Sequence, residues 1–125
     1  MGQKLRPLTL SREDERLAQL RDIMQDHKGK SSAVSSRDLA DKLGIKERDT
    51  FSITRSLIEK AMRRFSMPIG ATNAKPPGYF LIETREELDQ YMIILEQRKL
   101  QIESRKNLVY QNYIDEHGPL DEDDE

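Results

Sequence analysis

Side chains able to do acid–base or metal chemistry are sparse in this sequence. There are two histidines, His27 and His117, and no cysteine. His27 stands with Lys28 ahead of Gly29, and His117 ahead of Gly118 and Pro119. Both read as helix-end residues, where a cation complements the macrodipole and glycine closes the turn. The sequence has no HExxH, no glycine-rich phosphate loop and no G-x-S-x-G, and the terminal LDEDDE lacks the spacing and glycine of a calcium loop. No catalytic residue, metal site or cofactor is therefore expected, and the chain is not read as an enzyme. What remains is the chemistry of hydrogen-bond donors on a surface. Arg48, Ser52, Arg55, Glu59 and Arg63 recur at spacings of three and four. Guanidinium and hydroxyl groups spaced in that way present donors that suit phosphate oxygens and base edges.

The element that carries them is legible from its other side. Thr54, Leu57, Ile58, Ala61, Met62 and Phe65 form a complementary apolar stripe, which predicts one amphipathic helix from Glu47 to Phe65. A short helix precedes it, from a Ser35 N-cap to Leu43, with Val34 and Leu39 placed as a hydrophobic staple. Gly44 supplies the positive-φ residue beyond that helix, and Ile45 is placed to plug the corner, so a tight turn is expected between the two helices. Upstream, Ser11 caps a helix predicted over Arg12 to His27, with Leu17, Leu20, Ile23 and Met24 as its stripe. Downstream, Met67 to Ala71 and Tyr79 to Ile82 read as two strands around Thr72-Asn73-Ala74-Lys75-Pro76-Pro77-Gly78, a hairpin with Lys75 near its tip.

SSRDLADKLGI, from Ser35 to Ile45, resembles the first helix and turn of bacterial and phage helix-turn-helix regulators. IEKAMRRFSMPIGATNAKPPGYFLI, from Ile58 to Ile82, is similar to the helix-to-wing passage of winged-helix domains of the biotin-repressor type, through Pro68-Ile69-Gly70 and Gly78 to Ile82. The resemblance covers residues 10–92 as fold and 34–83 as motif. It implies a mainly α fold with a small β-hairpin (α+β), a winged helix-turn-helix followed by a long C-terminal helix. It also implies double-stranded DNA as partner. Arg48, Asp49, Ser52, Arg55 and Ser56 are then expected towards the major groove, with Arg63, Arg64, Lys75, Lys4 and Arg6 at phosphates or the minor groove.

The distribution of charge agrees with that expectation. Residues 28–80 hold eleven basic and five acidic residues, net +6, whereas residues 81–125 hold five and thirteen, net −8. A basic module joined to an acidic extension is the division expected of a nucleic-acid binder. Thr84 and Glu87 have capping-box spacing, and no glycine or proline follows until Gly118, so one long helix is expected over residues 84–117. Leu88, Leu95, Ile102 and Val109 recur every seven residues with Met92 and Tyr113 between, the pattern of a coiled-coil seam. Lys99 and Lys106 interrupt it. The expected organisation is an arm over residues 1–10, a domain over 11–83, a dimerisation helix over 84–117 and a disordered acidic tail over 118–125.

Lack of cysteine fits a reducing compartment, and no apolar run reaches membrane-span length. The chain is read as a soluble cytoplasmic protein of a bacterial cell or phage-infected host, a homodimeric transcriptional regulator. Two rivals are a protein-binding winged-helix module that targets a host regulator, polymerase or replication factor, and a DNA replication or packaging initiation protein.

Overall fold

A computed structural model describes residues 11–120. The chain divides into two compact units at Leu88 and Asp89. The predicted arm, with Lys4 and Arg6, and the acidic end over residues 121–125 lie outside the described residues.

The first unit is built on three helices, α1 (Arg12–Met24), α2 (Ser36–Leu43) and α3 (Ser52–Phe65). Both serine caps form as the sequence requires: Ser11 Oγ accepts from the Asp14 N–H at 3.0 Å, and Ser35 Oγ from the Asp38 N–H at 3.1 Å. Leu17, Leu20 and Met24 of α1 and Leu39 of α2 are fully buried, together with Thr54 and Ala61 of α3. The staple residue Val34 is buried as well, and so is Ile45 in the corner beyond Gly44, which adopts φ 70°.

Two helix boundaries differ from expectation. Helix α1 ends at Met24 rather than His27. The backbone at His27 and Gly29 turns instead to pair with the hairpin: the His27 carbonyl accepts from the Leu81 N–H, and the Gly29 N–H donates to the Leu81 carbonyl, both at 2.8 Å. Helix α3 starts at Ser52 rather than Glu47, so the turn after α2 is longer than the tight glycine turn expected. Asp49 (φ 65°) and Phe51 (φ 51°) are left-handed in it, a conformation incompatible with helix. Met62, expected in the core, is 38% exposed, and Phe65 is half-buried beneath the Arg21 guanidinium at 4.6 Å.

The hairpin pairs β1 (Ile69–Thr72) with β2 (Gly78–Leu81), antiparallel, with Ile69 opposite Leu81 and Thr72 opposite Gly78. It is tied to the helices at Val34, whose N–H and carbonyl exchange 2.8 Å hydrogen bonds with Tyr79. Phe80 and Leu81 are buried, while residues 73–77 form the exposed turn.

A long helix, α4 (Arg85–His117), follows. Thr84 Oγ1 accepts from the Glu87 N–H at 3.1 Å, half of the expected capping box. The Glu87 carboxylate does not close that box on Thr84. It accepts from the Glu83 N–H at 2.8 Å and from the Lys30 N–H at 2.9 Å. These backbone donors, Glu83 first and Lys30 second, hold its pKa below the ordinary glutamate value. The second unit is the remainder of α4, which contains no buried residue, and a short irregular segment from Gly118 to Leu120. Gly118 (φ 86°) stops the helix, donating to the Ile114 carbonyl at 2.7 Å.

Candidate nucleic-acid interface

The start of α3 is organised by a carboxylate from the preceding turn. Phe51 occupies the cap position and has no side chain able to accept. Glu47 substitutes: its oxygens accept from the Ile53 N–H at 2.8 Å, the Thr54 N–H at 2.8 Å and the Thr54 hydroxyl at 2.7 Å. Burial alone pushes the Glu47 carboxyl up, but the hydrogen bonds from Thr54 and Ile53 and the charge of Arg55 outweigh it, so its pKa lies below the ordinary value. The negative charge at this end also complements the helix dipole.

That cap fixes which residues α3 presents. Thr54, Leu57, Ile58 and Ala61 face the core, while Ser52, Arg55, Ser56, Glu59 and Arg63 are exposed. Ser52, Arg55 and Ser56 therefore share the open face of the helix, as expected. Arg48 and Asp49 do not belong to the helix at all; both are exposed in the turn ahead of it, because the chain reaches helical conformation only after Phe51.

The basic residues separate into two groups. Arg64 pairs with Asp14 of α1 at 2.7 Å, Arg63 with Glu59 at 2.9 Å and Lys60 with Glu13 at 2.6 Å. The Arg64 guanidinium, followed by the Ser11 hydroxyl, draws the Asp14 carboxyl below its usual range. Arg48, Arg55 and Lys75 form no ion pair among the described residues. Lys75 lies exposed in the hairpin turn, as its place in the sequence predicts.

Two cations that the sequence reading left unassigned adjoin this face. Arg12 and Arg16, one turn apart on α1, line an open groove with Ser52, Ile53 and Ser56. Their i, i+4 spacing was readable, but that α1 would run beside the first turns of α3 was not.

The predicted seam residues are all exposed on α4: Leu88, Met92 and Leu95 in its first half, Ile102 at 70%, Val109 at 59% and Tyr113 at 52% in the second. Both lysines of the seam turn to carboxylates of their own helix, Lys99 Nζ to Glu96 at 3.8 Å and Lys106 Nζ to Glu103 at 3.4 Å. Among the described residues no cluster of three or more His, Asp or Glu side chains can hold a metal ion, and no helix is long and apolar enough to cross a membrane. No protein-family model, curated protein or solved structure matches the chain.

Proposed function

We propose that residues 11–88 form a winged helix-turn-helix module that binds double-stranded DNA, in a small transcriptional regulator of bacterial or phage type. Helix α2, the turn and α3 are the helix pair, and β1–β2 is the wing. The observation that carries the reading is the open face of α3. Arg55, Ser52 and Ser56 stand there with donors directed away from the core, Arg48 precedes them, and neither arginine forms an ion pair among the described residues, although the charge of Arg55 acts on Glu47. A net charge of +6 over residues 28–80 supplies attraction to phosphate. Arg63, Arg64 and Lys75 act at the backbone. Because exposed ion pairs contribute little, the pairing of Arg63 and Arg64 is readily exchanged for phosphate. The exposed apolar seam of α4 supports reading the protein as a homodimer, and a two-fold dimer prefers an inverted repeat.

Selection of bound sequences from random duplex DNA tests this reading. Enrichment of an inverted-repeat motif is the expected outcome, and absence of binding at low salt overturns it. Ile53, 49% exposed in the groove beside α3, favours the second reading, a winged helix that docks a host protein.

A further inference from the structure

We propose that two copies of α4 pair in parallel and in register, with Arg98 of each copy against Glu103 of the other. This rests on the reading of α4 as the dimer helix and adds its orientation. Leu88, Leu95, Ile102 and Val109 form one line of the seam, and Met92, Lys99, Lys106 and Tyr113 the other. The two edges of that seam differ in sign. One carries Asp89, Glu96 and Glu103, and the other Arg98 and Arg105. A parallel pair sets the acidic edge of one helix against the basic edge of its mate, and the coiled-coil geometry brings a basic-edge residue opposite the acidic-edge residue five positions on. Arg98 then meets Glu103 of the second copy, twice by symmetry. An antiparallel pair sets like edges together, Arg98 facing Arg105 and Glu96 facing Glu103, and each contact is repulsive.

The lysines within the seam are the obstacle to any pairing, since an ammonium buried without a partner is unfavourable. Their positions in the structure lessen it. Both heads lie on Glu96 and Glu103, at the acidic edge, so the alkyl stems are left to cover the seam. Glu103 thereby receives Lys106 from its own helix and Arg98 from the other. Polar residues at single core positions of this kind select register and strand number.

The chain has no cysteine of its own, which permits a direct test. Leu95→Cys and Lys106→Cys are oxidised separately and as a mixture, with Gln97→Cys on the opposite face as control. In the parallel pair each of the first two forms a disulfide dimer alone, since like positions face each other, and Gln97→Cys does not. Cross-linking only in the mixture is the antiparallel result and overturns the proposal. Sedimentation of the unmodified protein separates the failures. A mass of 14.6 kDa at all concentrations removes the dimer reading itself, and a mass above twice that value overturns two-stranded pairing. Charge reversal gives a second readout that needs no cysteine. Arg98→Glu weakens self-association roughly threefold to thirtyfold and Glu103→Arg on top of it restores it. Tighter association of Arg98→Glu alone would mean that it had relieved an Arg98–Arg105 repulsion, the antiparallel case.

Discussion

Three hydrogen bonds converging on the Glu47 carboxylate make the start of α3 depend on its ionisation. Its folded pKa is depressed, so its contribution to stability is complete above the ordinary glutamate value of 4.5 and is lost as pH falls through the lower folded value. Glu47→Gln should therefore lower the urea midpoint at about pH 7 and lose that deficit as pH falls below the ordinary glutamate value of 4.5 and through the lower folded one. A deficit of equal size at both ends would assign the role to shape rather than charge. The role was not legible in the sequence because the donors stand six and seven residues away from Glu47, whereas the caps at Ser11 and Ser35 follow a spacing of three and were legible at once. Arg48 and Asp49 lie ahead of the helix for the same reason, since the apolar stripe does not reveal that helical conformation begins only at Ser52. With the helix starting at Ser52, Arg55 becomes the first arginine on its open face, and under the proposed DNA-binding reading it is the residue that would contact a base. Arg55→Ala should reduce discrimination between cognate and altered sites by about 1–3 kcal/mol. Lys75→Ala, at the hairpin tip, should weaken all sequences about equally, and competition binding with both probes would expose an exchange of these roles.

Among the elements, the hairpin is held by its closest approach to the helices. A Cβ on Gly78 (φ 135°) would lie 2.0 Å from the Val34 carbonyl oxygen, whereas one on Gly44 (φ 70°) would meet nothing within 4 Å. Gly44→Ala carries only the left-handed penalty, about 1–2 kcal/mol. Gly78→Ala adds a backbone collision, and it should destabilise by more than about 2 kcal/mol, detaching Tyr79 from Val34. Equal urea midpoints for the two variants would mean that the hairpin moves away from Val34 freely. The three helices, the hairpin and the long α4 were each legible, since periodicity, caps and the Pro76-Pro77-Gly78 turn are local signals. The docking of the hairpin was not. It uses His27, Gly29 and Val34 as isolated backbone partners, with no strand pattern to announce them, and it is these bonds that end α1 at Met24.

At the scale of the whole molecule, the division of charge and the exposure of α4 each lead to a measurement. If the +6 segment holds DNA mainly through phosphates, log affinity should fall with log salt at a slope of about −0.9 per phosphate engaged. A flat response would point to the protein-docking reading. Helix α4 poses a different question, because it buries no residue over 33 positions. Helical stability in proteins comes mostly from packing of an apolar face, and nucleation is unfavourable enough that an unpacked helix is marginal in water. Its i, i+3 pairs at Lys99 and Lys106 are exposed and contribute little. If a second copy covers Ile102, Val109 and Tyr113, as proposed above, their burial supplies the stabilisation, and the helix and the dimer form together. Mass action then makes helicity and Tm depend on protein concentration. Circular dichroism from about 1 μM to about 100 μM should show both rising. Ile102→Asp, which places a carboxylate in the seam, should abolish the rise and leave the first unit folded, with the helix signal reduced by part of α4. Helicity and Tm constant over the hundredfold range in the unmodified protein would mean that α4 is stable alone, and the case for a second copy on its seam would fall.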